Sequence, residues 1–268
     1  VTPPLSLPSR WLARLRQALT EEERGSRQAT ADTDASTLDW RVVVVLISTS
    51  ALLTIQEYYS KRGYYVLHVM RAGDDPYTDE QHLRQLLYWA GVCFGTYFVI
   101  PALIVRGVFR QRLRDYGMTW RGAGKHAGLY VVMLAIMGPL VWWASAQPSF
   151  QQTYPFYRAA TRDPSGFWLW TCAYAAQFFS LEFFFRGFMI HGLRRRFGVY
   201  SVIMMTIPYC MIHFGKPVLE TLGAVVAGLV LGFLSLRSGS IMLGVFIHVS
   251  VALAMDLASL WRYGNLPF

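Results

Sequence analysis

Glu182 and Arg186 stand four residues apart in the run Leu181-Glu182-Phe183-Phe184-Phe185-Arg186-Gly187, inside a long apolar stretch. On a helix that spacing puts both on one face, with the acid N-terminal to the base. His213 closes a second apolar run, Tyr209-Cys210-Met211-Ile212-His213. His248 lies in a third, followed at four-residue steps by Ala252 and Asp256. An ionisable side chain in hydrocarbon costs about 2.5–3.5 kcal/mol, so each of these needs a partner or a task. A carboxylate beside a histidine in a dry cavity can hold and deprotonate a water molecule. A second histidine can donate to the oxyanion that forms as that water attacks a carbonyl. Glu182, His213 and His248 are equally a donor set that zinc accepts. Either arrangement suits hydrolysis of a peptide bond.

Plainer readings stand beside these. Glu182 and Arg186 can be a structural ion pair, the histidines hydrogen-bonded packing residues, and Asp256 a carboxylate meeting water near the end of its span. Glu220 opens an apolar run and suits a helix N-terminus, where the dipole favours a carboxylate. His191, next to Arg194–Arg196, reads as polarity at the membrane boundary. A carboxylate and two histidines on three separate apolar elements are together harder to assign to packing alone.

The elements that must position them are membrane spans. Of the 268 residues 54% are hydrophobic and only 15% charged, against about 25% charged in a soluble domain. The apolar residues gather in blocks of about 20, the length that crosses ~30 Å of hydrocarbon. Seven such segments are expected, over roughly 40–58, 84–106, 126–146, 166–192, 198–214, 218–236 and 240–260. The expected fold is therefore all-α, a polytopic transmembrane bundle occupying 39–268, with its chemistry in a core at 166–260. Residues 1–38 are expected to be a cytoplasmic region. In it, 9–19 form a basic amphipathic helix lying on the membrane, and 20–38 form a solvated linker. Gly228 and Gly232, spaced Gly-x-x-x-Gly, should let a neighbouring helix approach closely.

The net charge of +9 does not imply a nucleic-acid partner, because the basic residues sit in short loops between apolar blocks. Arg106, Arg110, Arg112, Arg114, Arg121 and Lys125 fall in one such loop, Arg194–Arg196 in another, and Arg237 in a third. With the basic N-terminal helix, they place the N-terminus in the cytoplasm by the positive-inside rule. Cys93, Cys172 and Cys210 all lie in apolar stretches, with no Cys-x-x-Cys pair to hold zinc. They behave as small hydrophobes. The sequence lacks His-Glu-x-x-His and Gly-x-Ser-x-Gly, so zincin and serine-hydrolase chemistry have no local support. No internal repeat supports a transporter built from inverted halves.

In their order and separation, the three motif runs resemble the CAAX-protease and bacteriocin-processing membrane family. Its signatures are Glu-Glu-x-x-x-Arg, Phe-x-x-x-His and His-x-x-x-Asn, or a small residue in place of the asparagine, on successive helices. The resemblance covers about 166–260. It implies an intramembrane endopeptidase of glutamic type, acting on a membrane-associated protein or peptide in a bacterial cytoplasmic membrane. Glu182, Arg186, His213 and His248 would be its site, with no obligatory cofactor; zinc, if bound, would use Glu182, His213 and His248. Three positions depart from the pattern: Leu181 replaces the first glutamate, Tyr209 the phenylalanine and Ala252 the asparagine. A one-position shift turns a side chain about 100° around a helix. Glu182 must therefore act in a shifted geometry, with Asp256 one turn beyond Ala252 as a partial replacement for the missing polar group. Otherwise the protein is a non-catalytic relative: a membrane scaffold, an immunity factor or an assembly partner.

Overall fold

The computed structural model describes residues 20, 37–262 and 264. The amphipathic helix expected over 9–19 lies outside them, as does most of the linker. Among the described residues the architecture is all helical.

The first long helix, α1 (Trp40–Tyr59), is capped by the Asp39 carboxylate, which accepts from the Arg41 backbone N–H. After the short α2 (Arg62–His68), α3 runs continuously over Asp79–Val108. It starts five residues earlier than the apolar run at 84 because the Thr78 hydroxyl accepts from Gln81 N–H and closes its first turn. Then follow α4 (Ala127–Ala144) and the short α5 (Pro148–Thr153). The motif-bearing part begins with α6 (Pro164–Glu182), which passes through a π-helical stretch (Phe183–Met189) into α7 (Ile190–Phe197). It ends with α8 (Tyr200–Met211), α9 (Val218–Ser238) and α10 (Met242–Arg262).

Five of these helices, α1, α3, α4, α9 and α10, are long and apolar enough to cross a membrane. Their outer surfaces carry exposed Ile47, Leu103, Val131, Ile136, Val226 and Phe246, as contact with lipid requires. The expected fourth and fifth spans are built differently. The stretch 164–197 is diluted by Trp, Tyr, Gln and Ser and lies largely inside the bundle; all of Phe183–Met189 is buried. Helix α8 carries Pro208 and has 12 residues, too few to cross ~30 Å of hydrocarbon.

The glycine spacing on α9 acts as expected. A methyl group on Gly232 would lie 2.6 Å from Val202 of α8, and one on Gly228 3.0 Å from Thr206. Aromatic stacking fastens α3 to the motif region, with Trp89 against Trp170 and Tyr97 against Phe184. The basic loops collect at one end of the molecule. The start of α1, Gln111, Asp115 and Arg194–Arg196 line one cavity there. Ser240, just past Arg237, donates to the Thr119 carbonyl in the same region. That clustering is the charge asymmetry read from the loops. His191, expected at the boundary, is instead buried, with its Nε2 3.3 Å from the Ser235 hydroxyl.

Candidate active site

Glu182 is the last residue of α6, and Arg186 sits one turn on, within the π-helical stretch. Such widened turns recur at functional sites because they re-aim side chains that a regular helix would present elsewhere. Both residues are 0% exposed. Arg186 Nη1 lies 3.2 Å from Glu182 Oε1, yet no Arg186 N–H makes an aligned hydrogen bond. Its guanidinium instead covers the ring of Tyr209 at 3.8 Å, a cation–π contact of about 2 kcal/mol when desolvated.

The same Oε1 accepts a 2.6 Å hydrogen bond from His248 Nδ1. Helix α10 brings His248 to this point, and its ring stacks on Phe178 of α6 at 5.2 Å. On the far side of the imidazole, Nε2 lies 3.0 Å from the Tyr209 hydroxyl. Tyr209 also controls His213, one helical turn further along the chain. His213 Nδ1 donates to the Tyr209 carbonyl at 2.8 Å, and the two rings meet edge-on at 4.8 Å. With Nδ1 protonated, the neutral ring of His213 keeps its Nε2 lone pair available.

The other carboxylate oxygen, Glu182 Oε2, is buried without a protein donor. It faces Gly244 near the start of α10, where an added Cβ would lie only 2.6 Å away. The glycine thus keeps side-chain carbon away from that oxygen. A carboxylate clamped at one oxygen and without a donor at the other can take a proton.

The structure brings Glu182, Arg186, His213 and His248 together around Tyr209, and sets Asp256 apart. Asp256 is 2% exposed, and its Oδ1 accepts from the Phe156 backbone N–H at 3.1 Å. Ser259, on the same helix, donates to the Tyr154 carbonyl, so this end of α10 fastens the loop between α5 and α6. Ala252 and Asp256 line a shallow crevice between α6 and α10 together with Phe178 and Leu253. Leu181 belongs to the buried apolar cluster. Glu220 lies in the first turn of α9 and accepts from Tyr154 and Lys216.

The residue that sequence reasoning passed over is Tyr209. As a replacement for phenylalanine it looks mild, yet its hydroxyl, ring face and carbonyl each engage a different member of the group. The only signal was its extra polar atom in an apolar run. Among the described residues, no three His, Cys, Asp or Glu side chains converge at metal-ligand spacing. The Arg186 cation beside Glu182 also opposes a metal ion there.

Comparison with curated proteins and with solved structures gives no match. Residues 163–254 match the family model described as type II CAAX prenyl endopeptidase, Rce1-like. That stretch holds Glu182, Arg186, Tyr209, His213 and His248. With five helices fit to cross a bilayer, the chain is an integral membrane protein whose residues 163–254 are similar to that CAAX prenyl endopeptidase family.

Proposed function

We propose that the protein is an intramembrane endopeptidase that hydrolyses a peptide bond in a membrane-associated protein or peptide. The observation that carries this reading is the asymmetry of Glu182. One oxygen is held by Arg186 and His248, while the other has no protein donor and faces Gly244.

In the reaction, a water O–H bond breaks as its proton passes to Glu182 Oε2. The water oxygen bonds to the carbonyl carbon, and the C=O electron pair moves onto oxygen. The C–N bond then breaks as the carbonyl re-forms, and the proton on Glu182 goes to the leaving amine. His213, through its open Nε2, is the second acceptor for the water. Arg186 fixes the carboxylate, and His248 lies on the oxyanion side. Substrate approaches along the crevice between α6 and α10, which Phe178 connects to His248. The basic end of the molecule faces the cytoplasm, which puts the described N-terminal end there.

A second reading is favoured by one observation. Both nitrogens of His248 already have partners, and Glu182 is closed off from solvent. A non-catalytic scaffold, immunity or assembly factor would look like this, with Leu181 and Ala252 marking the lost polar groups.

The test is cleavage of a membrane-associated peptide by purified protein reconstituted in lipid, compared with Glu182→Gln. The amide keeps the shape of the site, and Arg186 retains the Tyr209 ring. Folding is checked on the same samples by circular dichroism. The peptidase reading expects turnover that disappears in the folded variant. Full activity in Glu182→Gln would remove Glu182 from the mechanism. A wild type without turnover, forming a stable complex with another membrane protein, would establish the second reading.

A further inference from the structure

We propose that Tyr209 is a positioning residue whose hydroxyl fixes the tautomer and orientation of His248. The inference deepens the peptidase reading and rests on it for its kinetic consequence, though not for the contact itself.

His248 Nδ1 points its hydrogen at a carboxylate, which can only accept. In the neutral ring, Nε2 is therefore an acceptor, and the Tyr209 hydroxyl 3.0 Å away must donate to it. In the charged ring, Nε2 carries a hydrogen and donates to the Tyr209 oxygen instead. A hydroxyl serves either state by rotating; an apolar side chain serves neither. The hydroxyl thereby holds the ring with its Nδ1 hydrogen committed to Glu182.

Neighbouring positions on α10 do not supply that contact. Ala252, one turn beyond His248, has no polar atom, and Asp256 is engaged with Phe156. Tyr209 itself cannot swing away. It is 1% exposed, its ring face is covered by Arg186, and its edge packs on Phe185 and His213. Its hydroxyl is held as firmly as its ring.

Tyr209→Phe removes the hydroxyl and keeps the ring that supports Arg186 and His213, so the fold should survive. The variant is read in two ways. Kinetically, turnover should fall roughly 10–100-fold, the worth of one hydrogen bond to an ionisable group, while KM stays within about twofold because no substrate contact is lost. Spectroscopically, the ¹⁵N resonances of the His248 ring, assigned by their loss in His248→Gln, should shift toward those of a ring with no partner at Nε2. Tyr209→Leu, which removes the ring as well, should also lower the unfolding midpoint; Tyr209→Phe should not. Tyr209→Phe with wild-type turnover and unchanged His248 resonances would overturn the proposal. If the wild type cleaves nothing, the peptidase reading fails, and the nitrogen resonances alone then decide whether Tyr209 governs His248.

Discussion

Replacing Gly244 with alanine tests the site through one added methyl group. The new Cβ would lie 2.6 Å from Glu182 Oε2 and 3.3 Å from its Cδ. An unstrained carbon–oxygen contact needs about 3.3–3.6 Å, so the carboxylate or the helix must retreat by roughly 0.7–1 Å. Glu182 is pinned at its other oxygen by a 2.6 Å bond to His248 and by Arg186 at 3.2 Å, so that retreat stretches both. Overpacking of this kind costs about 1–3 kcal/mol of stability, which leaves the protein folded. Misplacing a reacting group by about 1 Å costs on the order of 10²-fold in rate, and the methyl also occupies the space in front of Oε2. The expected result is a folded protein with a modestly lowered unfolding midpoint and cleavage reduced about 10²-fold or more. Gly223→Ala on α9 is the control, since a Cβ there meets nothing within 4 Å, and it should match the wild type in cleavage. A Gly244→Ala protein that cleaves at the wild-type rate would refute the assignment of Oε2 as the proton-accepting atom.

Three other perturbations have defined outcomes. Arg186→Met strands a buried carboxylate and should destabilise by about 3–5 kcal/mol in denaturant titration; Glu182→Gln combined with it should recover much of the loss. At the start of α6, the Asp163 carboxylate accepts from Ser165, Gly166 N–H and Tyr157, and these bonds hold its pKa below the usual carboxylate range. Its stabilisation is therefore present above the unfolded pKa of about 3.9 and is lost as pH falls through the folded value. Asp163→Asn should accordingly lower the unfolding midpoint at pH 7, and the gap to the wild type should narrow as the medium is acidified toward pH 3. Proton transfer through Glu182 needs no metal, so cleavage should survive a strong chelator; loss with chelator and recovery with zinc would move the mechanism to a Glu182, His213 and His248 metal site.

Apolar block length made several elements legible in the sequence. Segments expected at 40–58, 218–236 and 240–260 correspond to Trp40–Tyr59, Val218–Ser238 and Met242–Arg262. The four-residue spacing of Glu182 and Arg186 likewise produced an ion pair, as periodicity within one helix allows. Hydropathy alone does not separate a lipid-facing span from a helix sheathed by others, so the segments expected at 166–192 and 198–214 correspond to a largely buried helical stretch and to the 12-residue α8. The early start of α3 was readable from Thr78 and Gln81, whose spacing is that of a capping box. The Tyr209–His248 contact was not. It joins residues 39 apart in sequence, and nothing in either motif specifies which way the phenol turns once α8 and α10 pack. Straight helices also place His213 several ångströms deeper than Glu182. The turn that ends α8 at Met211 and the bond from His213 back to the Tyr209 carbonyl set its ring against that of Tyr209 at 4.8 Å.

The most direct measurement follows labelled oxygen. Reconstituted wild-type protein is given a membrane-associated peptide in H₂¹⁸O, and the products are weighed by mass spectrometry beside those from Glu182→Gln. Hydrolysis by a Glu182-activated water predicts a new C-terminal carboxyl carrying ¹⁸O from the wild type and no product from the variant. Labelled product at equal rates from both proteins would contradict it.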